Sequence, residues 1–405
     1  MKKTILNLVV AFAAVSLVSC TGDGTEPPVD VPPTTSYSGV ISENVTWSKE
    51  NIYELSGRVV VPSGVTLTIE AGTIIKAFPG EEANACALII ARGGKIIAEG
   101  TATEPIIFTT TADQLTNTHS NYPGFANLDE TFKGLWGGVI VLGKAEISAD
   151  ASEKQIEGIP ASDTNGLYGG SDNSDNSGVI RYVQIRHGGT LLGQDNEING
   201  LTLGGVGSGT IIENVEVIGN VDDGIECFGG SVNINNALVW AQGDDAFDID
   251  QSYSGTINNF MGIADSQSDH ALEIDGPEGS MVGMFTLTNG TLKGHNDPNI
   301  NGEYADFRQE ATGVLSNIYF YNFSCGSDFE IDGSTNTNGA SALSFTALEF
   351  NTSHLSDSCK NTISEICDDQ TGSGVNFNAT EVSSPTVGAD ESAFAGWTCY
   401  FRENN

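Results

Sequence analysis

A segment that repeats between residues 211 and 333 restricts the possible folds more than any other feature of the chain. Each copy places an apolar residue two positions before an asparagine, and these asparagines are Asn214, Asn236, Asn259, Asn289 and Asn317. They lie 22, 23, 30 and 28 residues apart. A second apolar segment follows each asparagine after 11 to 18 residues, at Ile225, Phe247, Leu272, Phe307 and Phe329. Two strand signals per repeat, without a helical period between them, indicate a solenoid of stacked β-strands.

The repeat predicts an all-β fold, a right-handed parallel β-helix whose coils stack at about 4.8 Å. Equivalent residues of stacked coils form columns, so the five asparagines should form a ladder inside a turn, with their amides bonded to the backbone of the next coil. We predict one elongated β-helix domain over residues 37–340, with a polar insertion at about 149–177. The terminal coils need caps, for which residues 37–58 and 341–405 are the candidates.

The first 36 residues have the features of an export signal and a linker. A basic start is followed by the apolar stretch from Ile5 to Val18, which is short for a membrane span and typical of a signal peptide. The Leu-Val-Ser-Cys sequence ending at Cys20 resembles a bacterial lipobox. That resemblance implies a lipoprotein signal peptide over residues 1–19, acylation of Cys20, and a lipid bilayer as partner. By resemblance to lipoprotein sorting rules, Thr21 after the cysteine favours the outer membrane, with the body on its periplasmic or its outer side. Residues 20–36, rich in Pro and Thr, predict a tether.

The charge of the chain excludes one class of partner. It has 53 acidic and 16 basic residues, a formal net charge of −37. Binding to a nucleic acid depends on clustered Lys and Arg, so we expect no nucleic-acid partner.

Several motifs, in order along nearly the whole mature chain, resemble a widespread family of right-handed β-helix lipoproteins and secreted proteins of Gram-negative bacteria. These motifs are residues 64–73, Trp136-Gly137-Gly138-Val139, residues 199–207, Asp222-Asp223-Gly224, Phe228-Gly229-Gly230 and Gly396-Trp397-Thr398. The resemblance implies the β-helix fold and an exported location. The family has no established activity, so the chemistry must come from the residues themselves.

Six cysteines remain besides Cys20, an even number that suits an oxidising compartment and allows fifteen pairings. Cys359 and Cys367, eight residues apart in a polar loop, are the pair that we expect to form a disulfide. Cys227 falls in the inward column of Ile249, Ile274 and Ile331, which favours a buried thiol at least as much as a disulfide.

Acidic residues flank the inward positions of the second strand of each repeat. Period-two alternation places Glu226, Asp248, Glu273 and Glu330 in one outward column and Asp250, Asp275 and Asp332 in the next, with Arg308 interrupting the first. We expect the ligand-binding residues to be Glu226, Asp244, Asp245, Asp248, Asp250, Glu273 and Asp275. They would bind Ca²⁺, through Asp244, Asp245, Asp248 and Asp250, or sugar hydroxyls, or both. The alternative is a solvated acidic surface with turns stabilised by Asp side chains.

One series of residues resembles the active-site order of polygalacturonase-type glycoside hydrolases. It consists of Asp223, Asp244, Asp245, His270 and Arg308. The resemblance implies Asp245 as general acid, Asp223 and Asp244 as activators of water, and His270 and Arg308 as assisting residues. The chain departs from that pattern, since Val221-Asp222 stands where Asn-Thr is usual, Ala271 follows His270, and no Lys follows Arg308. An anionic substrate would also meet an acidic wall.

These observations favour an outer-membrane lipoprotein with a surface binding or adhesion role, with carbohydrate as the preferred ligand. A polysaccharide-degrading enzyme, hydrolase or lyase, is one alternative. A non-enzymatic accessory subunit of an outer-membrane complex, with an outer-membrane protein as partner, is another. An exposed aromatic row beside the acidic columns would favour sugar, and the candidates for it are Tyr253, Tyr304, Tyr319 and Tyr321.

Overall fold

The structure of the chain is a computed structural model that describes residues 32–404, except 82–83, 191–197, 298–301, 335–337, 339–341 and 357. The predicted signal peptide, Cys20 and most of the tether therefore lie outside the described residues. Within the described ranges, no helix has the length and apolar character needed to cross a membrane.

The regular secondary structure of the described chain consists almost entirely of strands. In its first half these are β1 (Thr34–Val40), β2 (Val45–Trp47), β3 (Ile52–Val61), β4 (Thr66–Ile69), β5 (Ile74–Ala77), β6 (Ala87–Ile90), β7 (Lys95–Glu99), β8 (Ile106–Thr110), β9 (Val139–Leu142), β10 (Lys154–Gln155), β11 (Leu167–Tyr168), β12 (Gly178–Arg186) and β13 (Leu201–Gly204). The second half continues with β14 (Ile211–Ile218), β15 (Ile225–Phe228), β16 (Asn233–Trp240), β17 (Phe247–Asp250), β18 (Thr256–Ile263), β19 (Leu272–Asp275), β20 (Phe285–Lys293), β21 (Ala305–Arg308), β22 (Gly313–Tyr321), β23 (Phe329–Ile331), β24 (Leu343–Asn351), β25 (Cys367–Asp369) and β26 (Ala379–Glu381). Among the described residues, the helical elements include α1 (Ile363–Ile366), α2 (Cys399–Glu403) and 3₁₀ turns at Thr164–Gly166 and Glu391–Ala393.

The strands wind into the predicted all-β parallel β-helix. From β12 onward long and short strands alternate, and each strand pairs in parallel with the strand two places later in the chain. The short strands β13, β15, β17, β19, β21, β23 and β25 form one face. Each long strand of the repeat region supplies the other two faces, because it bends in its middle.

The asparagine ladder is the reason for this bend. The φ angles of the five repeat asparagines are 56–58°, a left-handed conformation that asparagine tolerates better than most residues. The Asn259 amide donates to Asn236 Oδ1 at 2.7 Å, and Asn317 donates to Asn289 Oδ1 at 3.1 Å. These bonds join side chain to side chain, whereas the sequence suggested bonds to the backbone. Tyr182 and Ala347 hold the same bend, with φ angles of 50° and 54°.

Apolar side chains from all three faces fill the interior. One inward column of the short strands holds Ile225, Phe247, Leu272, Ala305 and Phe329, and all are buried. The other holds Cys227, Ile249, Ile274, Phe307 and Ile331, so Cys227 is a buried free thiol. At the amino-terminal end the rings of Trp47 and Tyr53 stack with centroids 5.0 Å apart. This stack lies inside residues 37–58, where a cap was expected.

The parallel ladder extends beyond residue 340. Strand β24 pairs with β22, β25 with β23, and β26 with β24. The region expected to be only a cap therefore begins with further coils. At the other expected irregularity, residues 149–177, β10 and β11 form an antiparallel hairpin outside the main sheet.

The last residues of the chain run back along the outside of the solenoid. One outward column of the long strands holds Gln184, Glu216, Leu238, Met261, Thr291, Tyr319 and Glu349. The backbone N–H of Thr386 donates to Glu349 at 2.7 Å, and that of Cys399 donates to Glu216 at 2.7 Å. Phe394 and Trp397 of this segment are buried in one apolar cluster with Leu238 and Met261 of the column. We call residues 386–401 the carboxy-terminal strap.

The disulfide differs from the expected pair. Cys359 bonds to Cys325, with Cα atoms 4.8 Å apart, and Cys367 is free. The expected Cys359–Cys367 bond is wrong because Cys367 opens strand β25 and pairs with Phe329 of β23. That pairing stacks Cys367 on the ladder, while Cys359 lies in the loop before α1.

Candidate functional site

The short strands carry most of the acidic residues that the sequence analysis selected. Strand pairing aligns Glu226, Asp248, Glu273, Asp306 and Glu330 in one outward column. Two residues further along their strands lie Asp250, Asp275 and Arg308. We call these eight residues the acidic face.

Arg308 does not interrupt the first column, as the sequence suggested. The prediction matched Phe307 with Phe247 and Phe329, whereas Phe307 pairs with Ile274 and Ile331. A shift of two residues keeps every side chain on the same face, so the alternation alone could not reveal it. Asp306 therefore occupies the first column, and Arg308 pairs with Asp275 in the second.

The residues just before the short strands form a third column, which lies in a turn. It contains Asn199, Asp223, Asp245, His270 and Glu303. The backbone N–H of Asp245 donates to Asp223 Oδ1 at 3.0 Å, and that of His270 donates to Asp245 Oδ1 at 2.7 Å. Asp223 and Asp245 are only 6% and 3% exposed. Each carboxylate thus stabilises the turn of the next coil by accepting a backbone hydrogen bond from it.

This turn column brings together part of the polygalacturonase-like series. Asp223, Asp245 and His270 lie on successive coils, and Asp244 beside them is exposed. The two buried carboxylates that the resemblance nominated are occupied with backbone N–H groups, so Asp244 is the most accessible acid of that series.

His270 lies among carboxylates. Its Nδ1 is 2.9 Å from Asp245 Oδ1 and 3.2 Å from Glu273 Oε2, and its Nε2 is 3.9 Å from Glu303 Oε2. Burial lowers the pKa of His270, but the hydrogen bond and charge of Asp245 outweigh burial and raise that pKa to about 9. Burial raises the pKa of Glu303 to about 7.

Arg308 is the cation of the acidic face. It forms an ion pair with Glu273, and its Nε lies 2.8 Å from Asp275 Oδ1 and 3.7 Å from Asp306 Oδ2. Gln309 Nε2 also donates to Asp275, at 2.8 Å. Burial still raises the pKa of Asp275 to about 7 and that of Asp306 to about 6, with the neighbouring acids adding to the shift at Asp275.

Three carboxylates form a compact group near the start of the acidic face. Asp223, Glu226 and Asp248 each place an oxygen within 4.8 Å of the others. Burial, then the charge of neighbouring acids, raises the pKa of each group well above its ordinary value. We call these three residues the buried triad.

The four expected Ca²⁺ ligands are distributed differently from the prediction. Asp248 belongs to the buried triad, Asp244 groups with Asp222 and Asp223, and Asp245 groups with His270 and Glu273. Among the described residues Asp250 joins none of these close groups. The structure therefore does not gather Asp244, Asp245, Asp248 and Asp250 around one point.

Asn199 is a site residue that the sequence analysis missed. It precedes Gly200 and strand β13, as Asp223 precedes Gly224 and β15. Its side-chain amide donates to Glu226 Oε2, and the side chain is fully buried. Treating the turn before each short strand as one column would have found it.

The aromatic candidates do not form an exposed row. Tyr253, Tyr304 and Tyr319 are buried, and the Tyr253 hydroxyl donates to the carbonyl of Val232 at 2.6 Å. Tyr321 stacks on Tyr319 with ring centroids 5.1 Å apart, on the strap side of the solenoid. A ligand of the acidic face would therefore contact oxygen atoms more than aromatic rings.

Comparison with known proteins agrees with this geometry. The family model for a pectate-lyase-like β-helix domain matches residues 39–399, nearly the whole described chain. No curated protein and no solved structure matches the chain. The match confirms the right-handed β-helix family that the sequence motifs implied, and the chain belongs to the family of pectate-lyase-like β-helix domains.

Proposed function

We propose that the acidic face binds a polysaccharide and that the protein holds or contacts this polymer at the bacterial outer membrane. The family is named for pectate lyase, which makes it a polysaccharide-related family. The observation that carries the proposal is the alignment of carboxylates in two adjacent columns along the solenoid.

The spacing of the carboxylates along each column suits a polymer of sugars. Stacked strands repeat every 4.7–4.9 Å or so, and a row of carboxylates at that spacing offers hydrogen-bond acceptors along an extended chain. Sugar hydroxyls are donors, and Arg308 supplies a donor for a sugar oxygen. Asp244 and Asp269 at the edge of the face are exposed, so a ligand can approach there.

A neutral polysaccharide is the preferred ligand class. The chain carries a formal net charge of −37, so an anionic polymer would meet repulsion both from the face and from the whole molecule. Acylation of Cys20 would anchor the body to the bilayer, and the tether would let it reach a polymer beside the membrane.

A glycan array on the purified mature body tests the proposal. We expect binding to one class of neutral glycan, and at least tenfold weaker binding by the double variant Asp244→Asn with Asp269→Asn. The matched control removes two exposed charges far from the face, through Glu43→Gln with Glu70→Gln, and should bind as the parent does. Equal loss in both variants would indicate a general charge effect. Absence of binding to any glycan would favour the accessory-subunit alternative.

Hydrolysis is the second candidate function, and the acids Asp275 and Glu303 favour it. Burial raises the pKa of each to about 7, a value at which a carboxylic acid can donate a proton at neutral pH. A reducing-sugar assay, with absorbance at the wavelength of unsaturated products, distinguishes hydrolase, lyase and binder. Product released by the parent but not by Asp275→Asn would replace the binding proposal with an enzymatic one.

A further inference from the structure

The buried triad would need a positively charged partner if its carboxylates were ionised. Asp223 and Glu226 are 6% and 5% exposed, and Asp248 is their neighbour on the next coil. Within the described part of the chain, none of the three forms an ion pair with Lys, Arg or His. Three carboxylate charges in such a place repel one another and lose their hydration, so they need protons or a cation.

A second feature of the same place points to a cation. Asn199 donates its amide N–H to Glu226, which holds the Asn199 side chain against the triad. Asn199 is fully buried, yet its Oδ1 has no hydrogen-bond partner among the described residues. Asp248 Oδ1 is also inaccessible to solvent and has no hydrogen-bond partner within the same ranges. An unpaired buried oxygen costs free energy, which a cation would recover.

We propose that Asp223, Glu226 and Asp248, together with Oδ1 of Asn199, bind one hard divalent cation, with Ca²⁺ as the best match. All four ligands offer oxygen, which excludes the softer metals that prefer sulfur or imidazole. Three carboxylates and an amide oxygen suit Ca²⁺, whereas Mg²⁺ usually keeps several waters and uses one or two carboxylates. The ion would cross-link three successive coils, because Asn199, Asp223 and Asp248 each belong to a different coil.

Two of the proposed ion ligands, Glu226 and Asp248, also belong to the acidic face, whereas the glycan test changes two other residues. Asp244 and Asp269 are exposed and lie outside the ligand set, so a ligand could bind the face while the ion stays inside. Cation binding and glycan binding are therefore tested with separate variants and separate readouts, so that the failure of one is distinguishable from the failure of the other.

The test uses the full mature chain. Elemental analysis of the protein as purified measures any retained metal. After removal of metal with EDTA and dialysis, calorimetric titrations with CaCl₂ and with MgCl₂ measure binding, and thermal unfolding measures the change in Tm. We expect one Ca²⁺ per chain, a rise in Tm with Ca²⁺, and at least tenfold weaker binding of Mg²⁺.

Two isosteric variants locate the ion. Glu226→Gln should weaken Ca²⁺ binding at least tenfold. Glu330→Gln changes an acid of the same column several coils away and should leave the affinity and stoichiometry unchanged. The proposal is overturned if the parent chain neither retains metal as purified nor takes up Ca²⁺. A loss of Ca²⁺ binding confined to Glu330→Gln would also overturn it. The parent titration decides the matter even if a variant fails to fold.

Discussion

A single carboxylate oxygen, Oδ1 of Asp245, contacts His270 twice. It accepts the backbone N–H of His270 at 2.7 Å and lies 2.9 Å from Nδ1 of the same residue. Asp245 itself is 3% exposed. The contact therefore joins two coils through a largely buried ion pair, in which the imidazole is protonated because its pKa rises to about 9.

The His270–Asp245 pair should make stability depend on pH above neutrality. The pKa of His270 rises from 6.5 to about 9 on folding, so its contribution is complete below pH 6.5 and is lost as the pH rises through 9. The difference amounts to at most about 3 kcal/mol. Urea unfolding at pH 6 and pH 9.5 should show a smaller loss of stability for His270→Gln than for the parent.

The control for this measurement is His354→Gln. His354 bonds to the carbonyl of Phe323 at 2.8 Å in a distant loop. The variant His354→Gln should retain the parent's dependence of stability on pH. An unchanged slope in His270→Gln would show that the imidazole is not protonated in the folded chain.

Glu216 should make stability depend on pH on the acidic side of neutrality. It is fully buried under the carboxy-terminal strap, and burial raises its pKa from 4.5 to about 7. A folded-state pKa above the unfolded value means that stability falls as the pH rises from about 4.5 to 7, here by about 3 kcal/mol. Glu216→Gln should remove this part of the dependence, as measured by urea unfolding between pH 4.5 and 8.

Glu381→Gln is the matched control, since Glu381 lies near the surface of the last strand. It should leave the slope between pH 4.5 and 8 unaltered. If Glu216→Gln behaves in the same way as this control, Glu216 is ionised in the folded chain throughout that range.

The asparagine ladder combines a backbone conformation with hydrogen bonds, and two substitutions separate them. Asn259 has a φ of 56°, donates to Asn236 and accepts the N–H of Asp390 at 2.6 Å. Asn259→Gly keeps the conformation and loses the bonds, so we expect a loss of about 1 kcal/mol. Asn259→Ala loses both and should cost about 2–3 kcal/mol. Chemical denaturation measures both values, and equal costs would contradict a role for the left-handed bend.

The disulfide provides a test that does not involve the acidic face. Cys325 and Cys359 are 34 residues apart, and closing a loop of this size stabilises a chain by about 3–4 kcal/mol. Cys359→Ser should therefore lower Tm and abolish the effect of reducing agent on Tm. Cys367→Ser should keep that effect, because Cys367 is free. Loss of the effect in Cys367→Ser as well would restore the Cys359–Cys367 pairing expected from the sequence.

The sequence predicted the features of this fold that repeat and missed those that depend on register. Five asparagines at a regular period suffice to predict the bend, because few residues other than glycine adopt its conformation readily. The position of Arg308 was wrong by two residues, since period two makes such shifts invisible. Cys325 lies far from Cys359 in sequence, so only the path of the loops brings the two sulfur atoms together.

The site was predictable as a surface but not as individual contacts. Alternation placed Asp248 and Glu273 on one face, and the strand pairing confirms this. Burial of Asp223 and Asp245 depends on the turns that cover them, and no local pattern encodes those turns. Asn199 carries no charge, so the pattern of acidic residues does not include it, although it occupies the same turn column as both aspartates.

Arg308 should stabilise the folded chain in a pH-dependent way. It pairs with Glu273 and Asp275, and 31% of its side chain is exposed. Arg308→Gln leaves these carboxylates without their cation, so we expect a loss of about 2 kcal/mol at pH 8. The loss should shrink toward pH 5, because burial already raises the pKa of Asp275 to about 7 and the variant raises it further. Urea unfolding at both pH values measures the effect.

The control is Arg181→Gln, whose pairs with Glu99 and Glu213 are similarly exposed but lie on another face. This variant should lose under about 1 kcal/mol of stability at either pH. An equal, pH-independent cost for both variants would mean that Arg308 contributes by packing alone and that the acidic face does not depend on its charge.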